Sequence, residues 1–179
     1  MKIYFDGCSY THGAELQNPE ETRYSRILAN KLGAEEYNFA INGGSNRRLV
    51  RNLIEKDLSS YDLFIIQLTK NIRTEYYNGN EWIRIKYPVK YMNTQKYKKG
   101  MNEFWEEYYE TYYHEAYGRI DREICCHAIM NILHGRNYIF LDIDEIRKLV
   151  GKNRARNGHP NQVGHIVIAK DILKRHDII

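Results

Sequence analysis

Two short strings carry the side chains best suited to chemistry. Near the start runs Asp6-Gly7-Cys8-Ser9-Tyr10-Thr11-His12-Gly13, and near the end Gly158-His159-Pro160-Asn161-Gln162-Val163-Gly164-His165. The first sets Ser9 on the turn after an apolar strand, and the second sets His159 just before a final helix. A hydroxyl nucleophile and a distant imidazole, joined by folding, are what nucleophilic hydrolysis requires. Taken singly, Ser9 is also an ordinary turn serine. Its neighbour Cys8 is a competing nucleophile, because a thiolate reacts more readily than a hydroxyl.

The chemistry therefore depends on the elements between these strings. Lys2–Asp6 reads as a short buried strand, and residues 20–32 as a helix ending at Gly33 with Tyr24, Ile27, Leu28 and Leu32 inward. A second strand covers 36–40, followed by the turn Asn42-Gly43-Gly44-Ser45 and a helix over 46–58. Leu63–Leu68 is a continuous apolar run, the pattern of a central parallel strand buried on both faces. Residues 81–91 read as a hairpin or an ordered loop, and residues 102–133 as a long helix kinked near Gly118. A last strand at 138–141 ends on Asp142, a short helix follows over 144–150, and the final helix covers 161–174, opened by Pro160. Strands alternating with helices predict an α/β fold, a three-layer α/β/α sandwich around a central parallel sheet. Such sheets bind ligands at the carboxyl ends of their strands. Ser9, the Gly43-Gly44 turn, Thr69–Asn71 and Asp142 all follow predicted strands, so they should share one edge.

Composition narrows the classes further. The chain has 179 residues, 42% hydrophobic and 28% charged, which suits one globular domain over 1–179. No run of about eighteen apolar residues exists to span a membrane. Met1-Lys2-Ile3-Tyr4-Phe5-Asp6 meets an acid too soon for a signal peptide, so the expected location is cytoplasmic. Cys8, Cys125 and Cys126 form neither a ready disulfide nor a metal knuckle and read as reduced thiols. A net charge of +4 permits an anionic partner without requiring one.

Read in order, these blocks resemble the SGNH, or GDSL-type, hydrolases over most of the chain. The family's first block is Gly-Asp-Ser; here it is Gly7-Cys8-Ser9, with Ser9 on the nucleophile and its N–H on one oxyanion donor. The second block matches Asn38-Phe39-Ala40-Ile41-Asn42-Gly43-Gly44-Ser45, which puts a second donor on the Gly43 N–H. The third, Gly-x-Asn-Asp, falls on Thr69-Lys70-Asn71-Ile72, so Asn71 is the carried-over third donor, with Thr69 as its substitute. The string Gln67–Glu75, with a Thr and Arg73-Thr74-Glu75, is similar to a divergent branch seen in phage and bacterial sequences, which suggests a phage-encoded protein. Arg73 and Glu75 are equally a simple ion pair with each other. The fourth block continues as His159-Pro160-Asn161 and Gly164-His165, with His159 as the base and His165 as a helix-face residue. Three residues before His159 the family has an Asp, and this chain has Arg156. That leaves a Ser9–His159 dyad, a backbone carbonyl or a distant carboxylate such as Asp142 as orienter, or lost catalysis. The resemblance implies ester hydrolysis, including removal of O-acetyl groups from a carbohydrate, through an acyl-Ser9 intermediate, with no metal or organic cofactor.

One region stands outside the family pattern. Residues 76–117 hold ten of the sixteen tyrosines, with Trp82 and Trp105. Tyr108, Tyr109, Tyr112 and Tyr113 form a helical stripe that reads as packing, in the core or against a second subunit. The alternative is an aromatic lid that stacks on a sugar, with Lys96, Lys98 and Lys99 adding charge. Two other classes remain open. The Asn42–Asn46 turn opens a helix bearing Arg47, Arg48 and Arg51, and with Arg154 and Arg156 it reads as a phosphate- or nucleic-acid-binding module, although it lacks the phosphate-loop Gly-Lys-Ser/Thr. The missing acid at position 156 equally suits a non-catalytic scaffold.

Overall fold

Alternation in the strands builds two cores at once. In β1 (Lys2–Asp6), Ile3 and Phe5 enter one core while Tyr4 enters the other. In β3 (Leu63–Leu68), Leu63 and Ile65 join the first, and Phe64, Ile66 and Leu68 the second. Successive side chains point to opposite faces, so a strand apolar at every position must be covered on both. In the computed structural model, which describes residues 1–85 and 101–176, those strands are the centre of a four-stranded sheet. Its order is β2-β1-β3-β6, with β2 at Glu35–Asn38 and β6 at Tyr138–Asp142, and every pairing is parallel. This is the predicted α/β/α sandwich.

The helices cover the faces as their apolar stripes require. α3 (Tyr24–Lys31), α7 (Ile143–Val150) and α8 (Gln162–Arg175) bury Tyr24, Leu28, Ile146, Val150, Ile168 and Ile172 in the first core. α4 (Asn46–Glu55) and α6 (Glu115–Ile132) bury Leu49, Leu53 and Ile129 in the second. Ser45 caps α4 by accepting the Arg48 N–H at 3.2 Å. Asn161 caps α8 by accepting the Gly164 N–H at 3.0 Å, so Pro160 precedes that helix rather than opening it.

Two predicted helices are divided. The stretch 20–32 splits into α2 (Pro19–Thr22) and α3, with Arg23 extended between them. Arg23 is turned there to meet the Glu36 carboxylate on β2 at 2.8 Å. The stretch 102–133 splits into α5 (Met101–Glu107), a π-helical turn (Tyr108–Tyr112) and α6. The break lies at Tyr113–His114, not at Gly118, and His114 caps α6 by accepting the Ala116 N–H. Gly118 is needed for another reason. A Cβ there would lie 2.1 Å from the Tyr113 hydroxyl, so the glycine makes room for that ring.

Apart from the main sheet, β4 (Thr74–Tyr77) and β5 (Trp82–Ile85) form an antiparallel hairpin. The predicted hairpin thus begins earlier than residue 81; its remainder, 86–91, lies outside the described residues, as do Tyr87, Tyr91, Tyr97 and the three lysines. Ile83, Ile85 and Tyr109 make a small third core with Tyr76, Trp105, Tyr108 and Tyr113 around it. Among the described residues, no helix is long and apolar enough to cross a membrane.

Candidate active site

The carboxyl end of β1 carries the chain straight into the Ser9 turn. Gly7 is required there, since a Cβ would lie 2.5 Å from Thr11 Oγ1 and 2.7 Å from Gln67 Cβ. Gln67 then holds the turn from β3. Its Oε1 accepts from the Cys8 N–H at 3.3 Å and the Thr11 hydroxyl at 2.8 Å, and its Nε2 donates to Cys8 Sγ at 3.2 Å. Ser9 thereby starts α1 (Ser9–His12), which closes at Gly13 in the left-handed region, φ 84°. The Ser9 hydroxyl points to Cys8 Sγ at 3.8 Å, and no hydrogen bond joins it to His159.

Cys8 is fully buried, which withholds it from an external electrophile. Burial acts to raise its thiol pKa, but the Arg73 charge and hydrogen bonds from the Tyr10 backbone, Gln67 and Thr69 outweigh it and hold the value below the ordinary one. The thiol serves as an internal hydrogen-bond partner of the turn.

The second block packs directly on the first. Asn38 Nδ2 donates to the Thr11 carbonyl at 2.9 Å, and His12 Nδ1 lies 3.2 Å from the Ala40 carbonyl. A Cβ on Gly44 would lie 2.8 Å from the Gly7 carbonyl, so the two turns touch through backbone. Gly43 is buried with φ 76°. Among the described residues, no acceptor takes its N–H or that of Ser9.

The third block divides its expected members. Asn46 brackets Thr69 at both backbone groups, accepting its N–H at 2.8 Å and donating to its carbonyl at 3.2 Å. Thr69 Oγ1 accepts from Arg73 Nη1 at 2.7 Å and is among the groups that act on the Cys8 thiol. Asn71 instead packs against Gly118 of α6 and lines a cavity of ≈ 320 Å³ with Thr69, Lys70, Tyr113 and Arg122. Arg73 and Glu75 do not pair with each other: Glu75 is held by Arg51 at 2.8 Å.

The fourth block brings His159 to the Ser9 turn from the opposite end of the chain. The Tyr10 ring meets the His159 ring edge-on at 5.7 Å, and the Tyr10 hydroxyl donates to the Gly158 carbonyl at 3.2 Å. His159 Nδ1 lies 2.9 Å from Glu15 Oε2. Asp142, the expected distant acid, is engaged elsewhere. It caps α7 by accepting the Asp144 N–H at 2.7 Å and the Glu145 N–H at 3.2 Å, and it pairs with Arg122. Sequence reasoning passed over Glu15, although it is the one carboxylate between Asp6 and Glu20.

The four blocks thus converge on one sheet edge, at the point where β1 separates β2 from β3. Comparison with solved structures finds the same architecture. A lipolytic protein of the G-D-S-L family from Desulfitobacterium hafniense DCB-2 superposes with a TM-score of 0.52 at 12% identity, covering 99% of each chain. A member of the lipolytic G-D-S-L family from Veillonella parvula DSM 2008 gives 0.52 at 15% identity, covering 100% of both chains. The psychrotrophic esterase EstA from Pseudoalteromonas sp. gives 0.52 at 14% identity, covering 97% of this chain and 94% of that one. The fold is that of the SGNH, or GDSL-type, hydrolases. No protein-family model matches the chain, and no curated protein matches it in sequence.

Within this SGNH fold, several residues take roles that the residue pattern did not suggest. His165 lies on α8, as expected, but on that helix's fully buried face, stacked on Tyr24 at 6.0 Å. Its Nδ1 accepts the Tyr24 N–H at 3.1 Å, which supplies α3 with the cap that Arg23 does not. Burial, with a smaller contribution from the His159 charge, pushes its pKa down to about 4. The unfolded chain therefore binds this proton from about pH 6.5 downward, and the folded chain only near 4. Stability falls as pH drops through that window, by roughly 3 kcal/mol from this group. Urea unfolding at about pH 7 and about pH 5 should show the loss, and His165→Asn, which keeps an acceptor for Tyr24, should flatten it. An unchanged pH slope in the variant would reject the assignment.

The arginines of α4 are also committed. Arg47 pairs with Asp121, Arg48 with buried Asp6, and Arg51 with Glu75 and Glu55. Arg154 bonds the Arg147 carbonyl. An anion cradle at this helix start would have to break those pairs.

Proposed function

We propose that this protein is a serine ester hydrolase. The observation that carries the reading is the clasp between residues 10–15 and 157–159, which holds an imidazole against the turn that bears Ser9. The reaction requires the Ser9 hydroxyl, which lies 3.8 Å from Cys8 Sγ, to turn to that imidazole. His159 takes the hydroxyl proton as Ser9 Oγ bonds to the ester carbonyl carbon. The tetrahedral oxyanion is met by the N–H groups of Ser9 and Gly43, neither of which has an acceptor among the described residues, with Asn71 or Thr69 as the third donor. The C–O bond to the alcohol breaks, and His159 returns the proton to the leaving oxygen. Water, deprotonated by His159, then releases the acid and restores Ser9. These steps use side chains, two backbone N–H groups and water.

Trp105, Tyr108 and Tyr113 line a cavity of ≈ 260 Å³ beside Asn71. Its size suits a short acyl group or one sugar ring, and its faces suit stacking. An O-acetylated carbohydrate is accordingly the substrate class favoured. A fluorophosphonate probe tests the core of the reading. Peptide mapping is expected to place the label on Ser9, with none on Ser9→Ala or His159→Ala. Absence of label on wild-type Ser9 would overturn it.

A further inference from the structure

We propose that Glu15, in the turn that follows the short helix opened by Ser9, is the carboxylate that orients His159, in place of the acid missing at position 156. This rests on the serine-hydrolase reading and adds a positioning residue to it. The contact is direct, at 2.9 Å between Oε2 and Nδ1. The other carboxylate oxygen is also used: Oε1 accepts from the Asn157 N–H at 3.2 Å and from its side-chain amide. Both oxygens are thus tied to the segment 157–159 that presents His159.

The backbone gives an independent sign. Glu15 has φ 70°, and among the described residues no other non-glycine residue has a positive φ. That region is disfavoured for a residue with a Cβ and is held only where the surroundings demand it. Glycine would fit this position with less strain and would lose the carboxylate. A strained Glu where Gly is easier points to a use for its side chain. The electrostatics agree. Desolvation acts to raise the Glu15 carboxyl, but the His159 and Asn157 hydrogen bonds and the His159 charge outweigh it and hold its pKa below the usual range. An ionised carboxylate can only accept, so it selects the imidazole with its proton on Nδ1. Nε2 is then the nitrogen left to take the Ser9 proton, and the imidazolium formed during attack is stabilised by the charge beside it.

The consequence is an unusual economy of placement. Acid and nucleophile lie six positions apart, Ser9 opening α1 and Glu15 in the turn after it, and only the base arrives from the far end of the chain.

Two Glu15 variants test the proposal on the full chain with a chromogenic acetyl ester. Glu15→Gln keeps the shape and removes the charge. It should lower kcat by about 10³-fold or more with KM changed by less than about threefold. Glu15→Gly should lose activity similarly while its urea midpoint stays equal or rises, because the strain is relieved. Added formate should restore part of the Glu15→Gly rate, which a purely structural role does not predict. Full activity in Glu15→Gln, beside a dead Ser9→Ala, would overturn this inference and leave the hydrolase reading standing. If wild type shows no Ser9-dependent turnover, the hydrolase reading fails instead. Ring ¹⁵N NMR then decides the role of Glu15 alone. The proton should sit on Nδ1 of His159 in wild type and move to Nε2 in Glu15→Gly; the same tautomer in both would reject it.

Discussion

Ser9→Ala is expected to lower kcat/KM on a chromogenic acetyl ester by about 10⁴-fold or more, equivalent to roughly 5.5 kcal/mol of transition-state stabilisation. The loss is large because, in the proposed mechanism, the acyl group is carried on the Ser9 oxygen and Ala offers no atom to replace it. Cys8, the adjacent candidate, is buried and held by Gln67. The fold should be unaffected, since the Ser9 hydroxyl makes only a 3.8 Å contact with Cys8 Sγ. Equal urea midpoints for variant and wild type would show that chemistry, not stability, was removed. Turnover at the wild-type rate would exclude Ser9 from the reaction.

Arg48→Met is expected to destabilise the protein by about 3–5 kcal/mol. Asp6 ends β1 with no exposed surface, directly before the Ser9 turn. Arg48 Nη1 meets its Oδ1 at 2.7 Å, Asn52 Nδ2 meets Oδ2 at 2.8 Å, and the Gly7 N–H meets Oδ1 at 2.8 Å. Removing the guanidinium leaves a buried charge with neutral donors alone. The double variant Asp6→Asn/Arg48→Met removes that charge as well and should lose less than the single one. Urea unfolding followed by circular dichroism separates the two. A single variant within about 1 kcal/mol of wild type would mean that the pair is not a major support of the turn.

Both effects lie beside features that the residue pattern already marked. All four sheet strands were legible in outline: β1 and β3, covered on two faces, are apolar at nearly every position, whereas β2 is a partly exposed edge strand of Glu35, Glu36, Tyr37 and Asn38. The positions of Ser9, Gly43 and Thr69 at strand ends followed from the same pattern. The long helix was legible in extent but not in its break, because Gly118 suggested a kink whereas the glycine serves to admit the Tyr113 ring. Arg73-Thr74-Glu75 suggested a local ion pair, yet Glu75 reaches Arg51 across the fold.

From the chain alone came the layered architecture and the choice of Ser9 and His159, since periodicity and turn chemistry are local properties of neighbouring residues. Tertiary structure decided the partners: Glu15 on His159, Arg48 on Asp6, and His165 as the cap of α3. Those contacts join residues 144, 42 and 141 positions apart. A carboxylate in a loop carries no mark of which imidazole or guanidinium it will meet until the sheet has brought the two segments together.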